Sequence, residues 1–184
     1  EGGGLSSLVI DPQNPSTLYV GLYTHGAFKS TDGGANWRAL STPPSYFRTF
    51  LKVLAIDPVT PATLYGGAYD QGIWKSTDGG ESWFPVTSYN MPQITDLAVD
   101  PRSPETVYAA TWSGGVYRTT DGGVKWAKAN AGLTDLDVGC LAIDPRTPTT
   151  VYAGTNDGGV FVRQEIVLPH RHYLPLVQRG LLPP

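Results

Sequence analysis

The chain of 184 residues is poor in cysteine, in charged residues and in long apolar runs. Its one cysteine, Cys140, excludes an internal disulfide framework. Only 16% of the residues are charged, and the 13 basic residues do not exceed the 16 acidic ones. This balance excludes the basic footprint of a nucleic-acid-binding domain and a polybasic membrane patch. No apolar run approaches the roughly 18 residues that a transmembrane helix needs, so no transmembrane segment is predicted.

Glycine, proline and aromatic residues are abundant by contrast. The sequence contains 22 Gly, 16 Pro, 10 Tyr and 5 Trp, and it shows no helical periodicity of useful length. These features predict a turn-rich all-β protein with one domain-sized core. The chain begins with Glu-Gly-Gly-Gly rather than methionine, so we expect a processed mature chain or an excised piece of a longer protein.

Four copies of one unit run through the sequence. The dipeptide Asp-Pro recurs at Asp11, Asp57, Asp100 and Asp144, each time after an apolar run and shortly before a Thr-Leu-Tyr or Thr-Val-Tyr segment. A period in the forties with several short strands per unit is typical of a β-propeller blade. We predict an all-β propeller domain at residues 1–165, built from four-stranded antiparallel blades, with an atypical last blade. The predicted units are about 5–50, 51–93, 94–137 and 138–165.

A second motif separates the third and fourth predicted strands of the first three units. It reads KSTDGGANW, KSTDGGESW and RTTDGGVKW, and we call residues 30–37, 76–83 and 119–126 the DGG turns. Aspartate and Ser/Thr side chains bond nearby backbone N–H groups, glycine accepts positive φ, and the tryptophan can bury a large face. Turn formation thus accounts for every residue type. The predicted structural residues are Ser30, Asp32, Gly34, Trp37, Ser76, Asp78, Gly80, Trp83, Thr119, Asp121, Gly123 and Trp126.

The pattern S/T-x-D-x-G-x-x-W, which all three DGG turns match, resembles the Asp-box or BNR repeat. The resemblance covers roughly residues 5–165, and the fourth unit departs from it with Glu165 at the aspartate position. Similar repeats are found in sialidases, sortilin-type receptor domains, photosystem-assembly propellers and many secreted bacterial proteins. The resemblance implies that the aspartates fold blade hairpins, remote from any active site, and that the protein is secreted or on the cell surface.

The units differ most at the face opposite the DGG turns. Turns between the second and third strands and linkers between units carry aromatic and charged residues there, which suits carbohydrate or protein binding, although ordinary solvated loops would look the same. This candidate binding rim consists of Tyr23, His25, Tyr46, Arg48, Tyr69, Asp70, Tyr89, Trp112 and Asp157. Asp70 and Asp157 could form an acid/base pair, but both residues are also common in turns.

The sequence predicts no catalytic, cofactor-binding or metal-binding residues. His25 has no second histidine at ligand spacing. Cys140 lies in the first strand of unit four, where we expect a half-buried free thiol. It is not expected to act as a nucleophile, because His170 and His172 lie in the tail with no group to orient them.

Residues 166–184 form an apolar, proline-spaced tail that we expect to be extended. The sequence leaves three arrangements open: a closed four-bladed monomer, a fragment of a larger ring, or a subunit whose edges pair with neighbours. The tail would complete the last blade or add a strand to a neighbouring molecule. Pro169 and Pro175 restrict it to a short edge strand.

The prediction is therefore a non-enzymatic extracellular propeller, structural or binding, which self-associates into an oligomer or filament through its tail. A glycan or a protein is the expected ligand, and no cofactor is expected. The alternative is a fragment of a sialidase-like glycoside hydrolase, which would need acids and arginines converging in a pocket. An assembly factor would need a contiguous charged patch, which the sparse charges disfavour.

Overall fold

The computed structural model describes residues 4–22, 25–40, 51–68, 71–87 and 91–164. Every regular element in these residues is a β-strand, as the sequence predicts. Blade one contains β1 (Leu5–Ile10), β2 (Leu18–Leu22), β3 (Gly26–Ser30) and β4 (Arg38–Ala39). Blade two contains β5 (Leu51–Ile56), β6 (Leu64–Ala68), β7 (Ile73–Ser76) and β8 (Phe84–Pro85). Blade three contains β9 (Ile94–Val99), β10 (Val107–Thr111), β11 (Gly115–Thr119) and β12 (Ala127–Lys128). Blade four contains β13 (Val138–Ile143), β14 (Thr150–Thr155) and β15 (Gly159–Gln164).

Each blade is an antiparallel meander whose strands pair in chain order. The fourth blade has three strands within the described residues, which agrees with the atypical last blade that the sequence predicts. The register of each first strand shifts between its first and third residues, as at Leu5/Ser7 and Val138/Cys140. Such β-bulges turn the following side chains toward a different neighbour.

The blades pack face to face in sequence order. The first strands β1, β5, β9 and β13 lie side by side, and three apolar clusters fill the junctions between successive blades. Tyr19 and Leu51 lie in the first cluster, Tyr65 and Ile94 in the second, and these side chains are almost completely buried. The core of this domain is therefore a series of interfaces between similar sheets rather than one central cluster.

The recurring aspartate of each Asp-Pro pair closes the turn after the first strand. Asp11 Oδ1 accepts hydrogen bonds from the backbone N–H groups of Gln13 at 2.8 Å and Asn14 at 3.1 Å. The other three blades repeat this arrangement. The dipeptide thus ends the strand in two ways, because proline cannot donate to the ladder and aspartate satisfies the turn.

One expectation was wrong. Cys140 is exposed rather than half-buried. The equivalent residues Ser7 and Asp96 accept hydrogen bonds from the backbone of the next blade, so this position faces the following blade. Among the described residues no blade follows blade four, and the thiol is left in solvent. The tail at 166–184 lies outside the described residues. No helix suited to crossing a bilayer occurs in the described part of the chain.

Candidate functional site

The aspartates of the DGG turns are occupied by their own turns. In the first turn, Asp32 Oδ1 accepts hydrogen bonds from the Ser30 hydroxyl at 2.8 Å and the Asn36 N–H at 2.9 Å. Ser30 Oγ also accepts the Gly34 N–H at 2.9 Å, and the Trp37 indole N–H donates to the Gly34 carbonyl at 2.9 Å. Gly34 has a φ of 94°, which a side chain would disfavour. Each residue of the motif therefore has a structural role.

The second DGG turn repeats this network, and the third repeats it except for the indole hydrogen bond. Asp78 accepts from the Ser76 hydroxyl at 2.8 Å and the Ser82 N–H at 2.9 Å. The Gly80 N–H donates to Ser76 at 2.8 Å, and Trp83 donates to Gly80 at 3.1 Å. In the third turn the same contacts join Thr119, Asp121, Gly123 and Lys125, at 2.7 to 3.0 Å.

These hydrogen bonds favour the ionised carboxylates. The N–H and side chain of Asn36 hold the pKa of Asp32 at about 2, below its ordinary 3.8, with a further contribution from Ser30. The hydroxyl and N–H of Ser82 likewise hold the pKa of Asp78 at about 2. The Lys125 N–H lowers the pKa of Asp121. Such carboxylates are poor proton donors and acceptors near neutral pH.

The DGG turns also join neighbouring blades. Lys29 in blade one stacks over the Tyr19 ring and donates to the Gly79 carbonyl of blade two at 3.3 Å. At the next junction, the Lys75 ammonium and the Tyr65 hydroxyl of blade two both donate to Gly122 of blade three, at 3.0 and 3.3 Å. Burial raises the pKa of Tyr65 to about 12, so its hydroxyl remains a donor.

The candidate rim is described in part. Trp112 lies exposed in the turn before β11, and its backbone N–H donates to the Gln93 carbonyl at 2.9 Å. Asp157 lies exposed in the turn before β15, and His25 lies exposed just before β3. Tyr23, Tyr46, Arg48, Tyr69, Asp70 and Tyr89 lie outside the described residues.

Two aspartates that the sequence analysis did not select have structural contacts. Asp135, in the linker before blade four, accepts the N–H groups of Asp137 and Asp157, both at 2.9 Å, and these bonds lower its pKa. Burial raises the pKa of Asp96, opposed by the N–H groups of Leu141 and Leu97. The sequence contains one signal for Asp96: in the other three units the aligned position holds Ser7, Val53 or Cys140, none of which is acidic.

A groove of about 800 Å³ opens between blades two and three, and the sequence analysis missed it. Its walls combine aromatic and aliphatic side chains with a carboxylate and an ammonium group. Residues that define it include Lys75, Phe84, Val86, Tyr117, Asp121 and Trp126. The ring of Phe84 is exposed, so the groove presents an aromatic surface to solvent.

One side chain at the groove is smaller than its counterpart at the preceding junction. At the junction of blades one and two, Leu40 lies close to Gly80 and helps to bury Trp83. Val86 takes the position of Leu40 at the next junction and fills less of the space beside Gly123. Trp126, the counterpart of Trp83, is accordingly more exposed.

Two polar atoms in this groove lack the partners that their counterparts have. Asn36 Nδ2 donates to Asp32 Oδ2 at 2.8 Å in the first turn, and the Ser82 hydroxyl donates to Asp78 in the second. No described residue donates to Oδ2 of Asp121. The Trp126 indole N–H is buried and has no acceptor among the described residues. Beside the groove the third DGG turn thus lacks, among the described residues, two hydrogen bonds that the first and second turns make.

The described residues contain no cluster of three or more His, Cys, Asp or Glu side chains that could hold a metal ion. Neither the groove nor the rim brings described acids and arginines together in the way a sialidase-like pocket requires. The groove combines aromatic faces, a carboxylate and apolar walls.

No protein-family model matches this chain, and the search of curated proteins found no match. Solved structures do resemble it. An ancestral GH74 enzyme superposes with a TM-score of 0.73 at 23% identity, over 92% of this chain and 25% of that one. The GH74 xyloglucanase from Xanthomonas campestris gives a TM-score of 0.72 at 19% identity, over 89% of this chain and 29% of that one. The RRP9 WD40 repeats give 0.65 at 16% identity, over 88% of this chain and 48% of that one.

The chain thus spans between a quarter and a half of the length of these structures. Similarity at this level of identity shows the fold and nothing finer. WD40 repeats form propellers with four strands per blade, and the chain shares their arrangement. The β-propeller fold that the sequence predicts is confirmed.

Proposed function

We propose that the protein is a non-enzymatic extracellular propeller, secreted or on the cell surface, that serves as a structural or binding module. We also propose that its DGG turns are Asp-box repeats. The observation that carries the proposal is the use of the recurring carboxylates. Asp32, Asp78 and Asp121 accept hydrogen bonds from their own turns, which favours a role in architecture over one in reaction chemistry.

The groove between blades two and three is the proposed ligand site, and a glycan is the ligand it suits best. Phe84 presents an exposed aromatic ring on which a sugar ring can stack. Asp121 Oδ2 is available to accept a bond from a sugar hydroxyl. A protein ligand at the rim around Trp112 is the other candidate, because aromatic anchors also dominate protein interfaces.

A glycan array followed by titration of the bound glycan tests this assignment. Val86→Leu should fill part of the groove beside Gly123, since Leu40 lies close to Gly80 at the preceding junction, and should weaken binding by about tenfold or more without unfolding the protein. Trp112→Ala, at the rim, is the matched variant and should leave the affinity unchanged. Loss with Trp112→Ala alone would place the ligand on the rim, and a chain that retains no glycan would contradict the proposal.

We propose self-association through the tail at residues 166–184. Pairing of an extended segment with a neighbouring sheet edge is a common route to assembly. Deletion of these residues should abolish oligomers in sedimentation while the far-ultraviolet circular dichroism remains that of a β-protein. A full-length chain that stays monomeric at high concentration would contradict this proposal.

The alternative function is a fragment of a glycoside hydrolase, and the GH74 structures favour it over other enzymes. Such a fragment should release product from a fluorogenic sialoside or from xyloglucan, the polysaccharide after which the Xanthomonas campestris xyloglucanase is named. Hydrolysis above that of a heat-denatured sample would refute the non-enzymatic proposal. Binding without hydrolysis would support it.

A further inference from the structure

The two ends of the blade series are open, and their exposed residues are those that the other blades bury. Leu5, at the start of the first blade, is 61% exposed. Its counterparts in the next three blades, Leu51, Ile94 and Val138, are 0%, 0% and 1% exposed. Leu8 is 52% exposed, whereas the equivalent Leu54 is 4% exposed. All these residues are aliphatic, and the difference is that no described blade packs against this side of blade one.

The last blade shows the complementary pattern. Tyr152 is 38% exposed, against 1 to 2% for the equivalent Tyr19, Tyr65 and Tyr108. Val160 is 48% exposed, whereas its counterpart Ile73 is fully buried. We call the surface formed by Leu5, Leu8 and Ile10 the leading face, and that formed by Cys140, Tyr152 and Val160 the trailing face. The chain therefore carries both halves of its own blade-to-blade interface.

Polar groups at these two faces also lack, among the described residues, the contacts that their counterparts make. Gly122 accepts a hydrogen bond from Tyr65 of the preceding blade, whereas the equivalent glycine of blade one, Gly33, has no atom within 4 Å of the position that a Cβ would take. The hydroxyl of Tyr152 is placed to reach the Gly33 carbonyl of a following blade. Val162 replaces the lysine that accompanies this tyrosine in blades one and two, so tyrosine alone would make the contact.

We propose that the trailing face of one chain docks on the leading face of a second copy of the same chain. This inference goes beyond the self-association proposed above, because it adds a contact between blade faces to the one that the tail makes. Two copies joined at both ends would close a ring of about eight blades, within the range known for propellers.

A charge on the leading face tests the proposal. Leu8→Glu places a carboxylate on a side chain that is already half exposed, so the single chain should keep its stability, while the docked pair would bury an unpaired charge. Sedimentation should give twice the 19.7 kDa chain mass for the unmodified protein, and an affinity roughly 100-fold weaker for Leu8→Glu. Val59→Glu, exposed on a turn away from both faces, is the matched control and should remain a dimer.

A cross-link tests the direction of docking. Within the chain, Ser7 Oγ, at the position equivalent to Cys140, lies 3.0 Å from the backbone nitrogen of Leu54, which is equivalent to Leu8. Leu8→Cys should therefore form a disulfide with Cys140 of the second copy under an oxidant such as copper phenanthroline. Peptide mapping should find residue 8 joined to residue 140, and Leu8→Cys combined with Cys140→Ser should yield no such bond.

The outcomes separate this inference from the proposed function. If deletion of the tail dissociates the protein and Leu8→Glu does not, self-association stands and docking of the blade faces is refuted. If the unmodified chain remains monomeric throughout, both the tail and the face contacts are refuted. A bond between two Cys140 residues with no bond to residue 8 would refute the head-to-tail direction.

Discussion

Gly67, in the second strand of blade two, is a position where one added methyl group should disturb a blade junction. A Cβ on Gly67 would lie 2.6 Å from Cγ2 and 2.9 Å from Cβ of Ile94 in blade three. Ile94 is completely buried, and the two residues face each other across the junction of blades two and three. The Gly67→Ala variant therefore forces the two blades apart or displaces the isoleucine.

The expected destabilisation is set by overpacking. Inserting a methyl into a well-packed interior costs about 1–3 kcal/mol. The replacement of glycine also lowers the conformational entropy of the unfolded chain, which stabilises the folded protein by roughly 0.5 kcal/mol. The net destabilisation of Gly67→Ala should be about 0.5–2.5 kcal/mol, which lowers the melting temperature of a domain of this size by roughly 1–10 °C. Urea titration and thermal melting by circular dichroism measure both quantities.

The control and the rescue come from the same chain. Gly139→Ala adds a methyl at a strand position where no atom lies closer than 3.7 Å, and should change stability by less than about 0.5 kcal/mol. In the next junction the equivalent pair is Ala110 and Val138, both buried in one cluster. Ile94→Val should accordingly restore part of the stability lost in Gly67→Ala, with a coupling of about 0.5 kcal/mol or more. If Gly67→Ala is no less stable than Gly139→Ala, the assigned packing at this junction is wrong.

Two further predictions concern the DGG turns. Ser76→Ala leaves the buried Gly80 N–H without its acceptor and should lower the free energy of unfolding by about 1–3 kcal/mol, measured by urea titration. Ser103 is exposed, so Ser103→Ala is the control and should have almost no effect. Equal effects of the two variants would contradict the role assigned to Ser76. The pKa of Asp32 and Asp78 is about 2 in the folded chain against an ordinary 3.8, so their stabilisation is complete above pH 3.8 and lost as the pH falls through about 2. The double variant Asp32→Asn and Asp78→Asn should flatten the dependence of the melting temperature on pH between about pH 2 and 3.8. An unchanged slope would show that the two carboxylates do not contribute to the pH dependence of stability.

The blades could be predicted from the sequence because their signals are local. The Asp-Pro turns and the DGG turns are each closed by hydrogen bonds between residues at most four positions apart, so a short stretch of sequence specifies them. The β-forming runs between them leave few other topologies for strands of this length. The strand bounds follow these signals, as at β7 (Ile73–Ser76), which ends at the serine that begins the second DGG turn.

The properties of the junctions could not be predicted in the same way. Exposure of Cys140 depends on whether a further blade packs against its own, and the role of Asp135 depends on a contact with Asp157, 22 residues further along the chain. The groove lies between two blades and is lined by residues of both, such as Val86 and Trp126, so no single repeat predicts it. These effects arise at contacts between units. An alignment of the repeats compares the units with one another but does not show which residues of adjacent units are in contact.

The third DGG turn shows how differences among repeats can separate architecture from function. The first and second turns use Asn36 and Ser82 to satisfy the second carboxylate oxygen, whereas the third has Lys125 at that position and leaves the oxygen of Asp121 without a described donor. The same junction has the smaller Val86 and an indole N–H of Trp126 without a described acceptor. Each change forgoes a stabilising contact that the fold demonstrably can make. Because sequences depart from local consistency mainly where a site requires it, the coincidence of three such departures in one groove is the strongest reason to seek the ligand there.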